Sequence, residues 1–425
     1  MRNTGAAAAG VGALGLAGCD NTTTPIGAET AAGATGEVAE LVVPKPTGPA
    51  GLPLPRPDNS VTWAITDDNQ PVADGLANES GPLRVYNYAD YVNPATVKKF
   101  EADTGTKVQI ATYNSADEAI SKLASGAVEF DLIMGLSGSN IVNLIAQRLI
   151  KPLNHSYLPN LEKNIWPELQ DPFYDRGSRY TVAYVVWMDG IGWRNDRVSE
   201  DIPAMDVPWD IFWESQEYRG LVGILDDRRD ALSMPMQRDA MRTGARPDLN
   251  TEDAALIDKA QRDLSELSEI CNPKIAITDY QTLPEGKTVL HHSWSGDLLG
   301  AAFYYMPKGV PPTVLSFWGP EENGVVQNDF FCIGKESKSP VLAHQFINFL
   351  LDEQTAYTNF VDFTGYTPPQ NGLDADTLLE RGVIPETLQA AVVRPDQFAA
   401  NQELLQLSVE GSRLWDQAWS QFKAG

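Results

Sequence analysis

Cysteine, histidine, basic runs and long apolar stretches are all scarce in this chain. Three cysteines in 425 residues exclude a disulfide scaffold. Four histidines, with no H-E-x-x-H and no C-x-x-C, give no metal-binding pattern. His291 and His292 are adjacent on a predicted strand, so they point to opposite faces and do not chelate one ion. No G-x-S-x-G elbow occurs, and Gly135-Leu136-Ser137-Gly138-Ser139 lacks that pattern. Catalytic residues, metal and cofactor are therefore all expected to be none. No basic run exceeds Arg228-Arg229, which excludes nucleic acid as a partner and argues against an anionic membrane surface. No apolar run reaches the ~20 residues that span a bilayer.

What is abundant is acid. The 57 Asp+Glu against 32 Lys+Arg leave a net charge of -25, and 43% hydrophobic residues suffice to build real cores. Such a balance suits a solvated surface, or a protein whose ligand is a cation. The length suggests two or three domain-sized units.

The first residues read as an address. Residues 5–18 form a short run of Gly, Ala, Val and Leu that matches a signal-peptide core. Leu16-Ala17-Gly18-Cys19 resembles a bacterial lipobox, so residues 1–18 are expected to be removed and Cys19 lipidated. The basic segment is only Met1-Arg2, and an Arg pair is expected upstream of it. Residues 19–60, rich in Thr, Ala, Gly and Pro, are expected to be an extended tether behind that anchor. Residues 61–82, with Trp63 and Ile65, are expected to dock as an irregular arm.

From Leu83 a β/α alternation begins. Leu83–Asn87 reads as a strand, followed by a helix with Asn93 as N-cap, Pro94 at its first position and Gly105 as its stop. Lys107–Ala111 and Phe130–Met134 are the next strands. The helix between them is capped by Ser115 and Glu118, and another covers Asn140–Arg148. This alternation predicts a parallel sheet whose ligands bind beyond the carboxyl ends of the strands. A second α/β unit starts after Tyr184–Trp187, with strands Leu221–Leu225 and Thr288–His292 and helices over 251–270 and 341–351. Residues 401–423 read as a surface-packing helix. Cys271 and Cys332 fall in different units and are expected to be buried free thiols.

The strand ends deliver Tyr88, Asp90 and Tyr91, then Ser137 and Ser139, then Asp227 and Asp230, then Trp294 and Asp297. Singly, each has an ordinary structural use: Asp230, Asp297 or Ser139 as a helix cap, Tyr88 and Tyr91 as core aromatics. Together, aromatic faces beside carboxylates suit an ammonium ligand, through cation–π contacts and charge-assisted hydrogen bonds.

These stretches resemble the extracytoplasmic spermidine/putrescine-binding proteins of ABC importers. Val85-Tyr86-Asn87-Tyr88-Ala89-Asp90-Tyr91-Val92 is similar to the family's Y-N-W-x-E/D-Y segment, and Phe100–Val108 to its F-x-x-x-T-G-x-K-V. Phe130-Asp131-Leu132-Ile133 resembles its Y-D-L-V. Leu225–Asp230 resembles its D-D-x-R-E/D turn, and Trp294-Ser295-Gly296-Asp297 its W-x-G segment. Ala343–Leu351 with Phe363–Pro368 is similar to its A-x-x-F-I-N-F-L-L and x-G-Y-x-x-P.

The resemblance implies an α/β, two-lobed type II periplasmic-binding-protein fold. Lobe 1 would be 83–187 with 328–364, lobe 2 188–327 with 365–425, with hinge crossovers and a ligand cleft between them. It implies that Tyr88 and Trp294 stack on a polyamine and that Asp90, Asp227 and Asp230 hold its ammonium groups. Ser137, Ser139, Asp297 and Tyr366 would line the same cleft. It also implies a monomer that delivers its ligand to ABC permease subunits, tethered to the membrane through lipid alone, without chemistry of its own. Tyr88 replaces the family's usual tryptophan, and Gln327-Asn328-Asp329 a more aromatic stretch. The alternatives are the same fold binding an amino-acid derivative, opine or sugar, and a cell-surface hydrolase. An acidic ligand would want Arg228 or Arg229 in the cleft.

Overall fold

The computed structural model describes residues 47–126, 129–214 and 216–425. Cys19, the signal segment and the tether up to residue 46 lie outside the described residues. Ten strands are formed: β1 (Leu83–Tyr88), β2 (Val108–Tyr113), β3 (Leu132–Ser137), β4 (Ile150–Lys151), β5 (Val182–Arg194), β6 (Val222–Ile224), β7 (Lys274–Ile275), β8 (Leu290–Trp294), β9 (Leu315–Trp318) and β10 (Val326–Gly334). Their order is β2-β1-β3-β10-β5-β8-β6-β7, with β4 beside β10 and β9 beside β5.

The local signals act where they were read. The Asn93 side chain accepts from the Ala95 amide at 2.8 Å and opens the helix Pro94–Thr104, which Gly105 ends at φ 71°. Ser115 caps Ala116–Ala124 through the Glu118 amide. The Glu118 carboxylate reaches the Asn114 amide instead of that of Ser115, so the capping box is not closed on the cap itself.

β1, β2 and β3 are parallel, as the helical crossovers require, and β6 pairs in parallel with both β7 and β8. The long strand β5 joins the two sheet halves. Its residues up to Met188 pair antiparallel with β10, and from Asp189 onward it pairs with β8 and β9. One core cluster packs Phe100, Phe346, Val185 and Leu298, and a second packs Trp209, Leu264 and Trp415. Cys271 is buried in the second, while Cys332 is buried in a third cluster with Tyr86 and Ile133.

Two stretches differ from their sequence reading. The C-terminal helix spans Val409–Ala424, and residues 401–408 are not part of it. Gln402 instead exchanges backbone hydrogen bonds with Gly324 and Val326 at 2.9 and 3.0 Å, a pairing no helix allows. Within residues 47–60, Leu54 and Pro55 are buried, Leu54 in the same cluster as Trp63, whose indole N–H donates to the Tyr174 carbonyl at 2.8 Å.

Candidate functional site

The carboxyl ends of β1, β3, β6 and β8 open on one cavity of about 390 Å³. All ten residues singled out in the sequence line it: Tyr88, Asp90, Tyr91, Ser137, Ser139, Asp227, Asp230, Trp294, Asp297 and Tyr366. Two glycines make their arrangement possible. Gly135 has φ 86°, and a Cβ there would lie 2.8 Å from the Tyr88 ring and 3.0 Å from the Tyr113 hydroxyl. A Cβ on Gly296 would stand 2.5 Å from the Tyr366 ring, which rests on the start of the helix Ser295–Gly300.

The carboxyls differ sharply in setting. Asp227 is the true N-cap of Arg228–Thr243: its Oδ1 accepts from the amides of Arg229 at 2.8 Å and Asp230 at 3.3 Å. Asp230 is therefore free of capping duty. It is 3% exposed, and its Oδ2 accepts from the Trp294 indole at 3.1 Å. Asp297 is 8% exposed and accepts from the Tyr366 hydroxyl at 2.8 Å. Asp90 is exposed, held at φ 54° with a hydrogen bond from the Tyr305 hydroxyl at 3.1 Å. Ser137 and Ser139 bond to each other at 2.8 Å and start the turn that Asn140 closes on the Ser137 amide at 3.0 Å.

Lining residues outside the chosen ten include Asp329, Trp187 and Tyr305. Asp329, on β10, is 6% exposed and accepts from the Trp187 indole at 3.2 Å and from the Tyr91 hydroxyl. Tyr305 joins the Asp90 end. The available signal for Asp329 was the polar triplet Gln327-Asn328-Asp329 inside an otherwise apolar buried strand. The aromatic lining is continuous: the Trp187 and Trp294 rings lie 5.6 Å apart, Tyr91 and Tyr366 5.0 Å, and Tyr88 and Tyr113 4.4 Å.

Burial pushes the Asp329 carboxyl up to about 6, opposed by its two hydrogen bonds. Burial, with Asp189 and Asp227 adding like charge, raises Asp230 well above the carboxylate range. Burial and the neighbouring Asp279 do the same to Asp297. The phenols of Tyr91 and Tyr366 are also raised, burial first, and serve as neutral donors.

The arginines among the lining residues are already paired with groups other than Asp230, Asp297 and Asp329. Arg228 pairs with Asp117 and Asp416, both at 3.0 Å. Arg229 donates to the carbonyls of Leu405 and Leu249 and to Asn250, and stacks 4.5 Å over Trp415. Among the described residues, Asp230, Asp297 and Asp329 accept side-chain hydrogen bonds from Trp and Tyr alone. Among the described residues no cluster of His, Cys, Asp and Glu fits a metal ion.

Two sheet halves that share a long central strand, with a cavity at the strand ends, define the two-lobed type II periplasmic-binding fold. A structure described as a putative spermidine/putrescine ABC transporter from Listeria monocytogenes has that fold, with TM-score 0.67 and 22% identity over 81% of this chain and 99% of its own. A family model described as bacterial extracellular solute-binding protein matches residues 95–383, and the chain belongs to that family. Curated relatives include the spermidine/putrescine-binding periplasmic protein of Escherichia coli, 28% identical over 82% of this chain and 93% of that protein. The putrescine/agmatine-binding protein of Pseudomonas aeruginosa is 25% identical over 85% and 97%. Among the described residues no helix is long and apolar enough to cross a membrane.

Proposed function

We propose that this protein captures a linear polyamine such as spermidine or putrescine outside the cytoplasm and delivers it to the permease of an ABC importer. The observation that carries this reading is the set of three buried carboxyls, Asp230, Asp297 and Asp329, bonded by uncharged donors while both cavity arginines are paired with other groups. A buried carboxylate without a cation is costly, and an ammonium group relieves that cost while gaining charge-assisted bonds of about 1.5–3 kcal/mol each. Between its charges a polyamine is a chain of methylenes, which the faces of Tyr88, Trp187 and Trp294 cover at about 0.8 kcal/mol per buried CH₂. An acidic amino-acid derivative or opine finds no unengaged guanidinium here. The printed names of the curated relatives support the same ligand class.

In this reading the lobes are 83–187 with 328–364 and 188–327 with 365–425, hinged where β5 and β10 cross. Closure over the ligand is favoured because both lobes contact it. The protein works as a monomer without chemistry of its own, and lipidated Cys19 holds it at the membrane. A thermal-shift screen tests the ligand class, since a ligand bound by the native state raises the midpoint by mass action. Spermidine or putrescine is expected to raise it while glutamate and glucose leave it unchanged. A rise with glutamate and none with either amine would overturn the reading.

A further inference from the structure

Behind the cavity wall stand two more acids that none of the site contacts explains. Asp189 and Asp279 are both 0% exposed and lie outside the cavity lining. Asp189 is placed by register: it pairs across β5 and β8 with Trp294, so their side chains share a face, and the Trp294 indole bonds Asp230. Asp279 begins the short helix Asp279–Thr282, between the lining residues Thr278 and Tyr280, and acts on Asp297. Asp189 Oδ1, Asp230 Oδ1, Asp297 Oδ2 and both oxygens of Asp279 are buried without a hydrogen bond.

Around these acids the charged neighbours are mostly acidic, and the one cation acting on Asp230, Arg229, spends its hydrogen bonds on other groups. Asp189 is met by Asp227, by Asp230 and by His292, whose Nε2 lies 3.2 Å from its Oδ2. Burial lowers His292 to about 3, so this imidazole is neutral. Asp230 is met from its own helix by Asp227 and by Arg229, whose guanidinium is turned to Leu249, Asn250 and Leu405. Asp297 is met by Asp279, Tyr366 and Tyr280. Asp279 also acts on His291 and His292, and burial lowers both. Burial and these acidic neighbours favour the protonated forms of Asp189, Asp230 and Asp297.

We propose that Asp189 and Asp279 are a second row of acids behind Asp230 and Asp297, and that ammonium groups entering the cleft expel protons from this buried cluster to solvent. The exchange balances: a carboxylic acid and an ammonium ion become a carboxylate–ammonium pair, and the proton goes to the buffer. This rests on the polyamine reading and makes Asp189 and Asp279 positioning residues that set affinity through the acids in front of them. It also makes capture sensitive to external pH, with affinity rising by up to about tenfold per pH unit for each proton released.

The test is calorimetric titration of the full-length protein with spermidine near pH 6.8, in phosphate and in ACES, buffers of low and high ionisation enthalpy. Spermidine's amines, like that of lysine at about 10.4, keep their own protons there. The expected result is an enthalpy that differs between buffers by the release of at least one proton per ligand. Asp189→Asn and Asp279→Asn each reduce that release and flatten the slope of affinity against pH. Equal enthalpies in the two buffers for the unaltered protein overturn the proposal, and this comparison needs no variant to fold. Release that stays unchanged in both folded variants overturns the assignment to these residues. Heat in neither buffer overturns the polyamine reading, and the proposal with it.

Discussion

The cavity wall built by β1 and β3 and the wall built by β6 and β8 carry different chemistry. The first offers rings and hydroxyls, Tyr88, Tyr91, Ser137 and Ser139, and its one strand-end acid, Asp90, is exposed. The second holds Asp230 and Asp297 buried, each on a single neutral donor, and Asp329 on β10 sits between the two. Buried acids bind a cation strongly because water no longer competes, while exposed ones are screened. The difference teaches that the buried acids belong to the second wall and β10, while ring faces come from both walls, so in the polyamine reading charge selection would fall to one side and hydrocarbon contact to both.

Breaking the charged side has the largest expected effect. Asp230→Asn and Asp329→Asn each weaken spermidine binding by roughly tenfold to a hundredfold, the loss of one charge-assisted bond, as read by calorimetric Kd. Tyr88→Ala on the aromatic wall costs less, about twofold to thirtyfold by the same measurement. A smaller effect separates the two sides by pH. The folded value of Asp329, about 6, lies above the unfolded value of about 3.9. Its stabilising contribution is therefore complete below about pH 4 and is lost as pH rises through about 6. The ammonium group pairs with the ionised form. Scanning fluorimetry should thus show a spermidine-induced rise in midpoint that is small at about pH 5 and larger at about pH 7.5. Least of all, Arg228→Ala at the cavity mouth, where Arg228 is part-exposed and its partner Asp117 exposed, changes affinity by about fivefold or less.

The architecture was legible because its signals are local. Asn93, Pro94, Gly105 and Ser115 act within a turn of themselves, and strand ends on a parallel sheet share one side. That topological rule picked nine of the ten cavity residues, and the family resemblance supplied the tenth, Tyr366. What escaped depends on partners far along the chain. Asp329 is defined by Trp187, Asp189 by its register with Trp294, and Asp279 by Asp297. The inward or outward turn of Arg228 and Arg229 is set by Asp416, Asn250 and Leu405. The helical reading of 401–408 failed for the same reason, since Gln402 takes its hydrogen bonds from the distant Gly324–Val326 edge.

The negative charge of this chain is spread widely, yet a few buried carboxyls without an ion-pair partner would hold the ligand in this reading. A crystal structure of the protein with spermidine tests that most directly. Ammonium nitrogens within about 3 Å of the carboxylates of Asp230, Asp297 and Asp329, with the chain lying between Tyr88 and Trp294, are the predicted result. Nitrogens away from all three carboxylates, with Arg228 or Arg229 turned into the cavity, would contradict it.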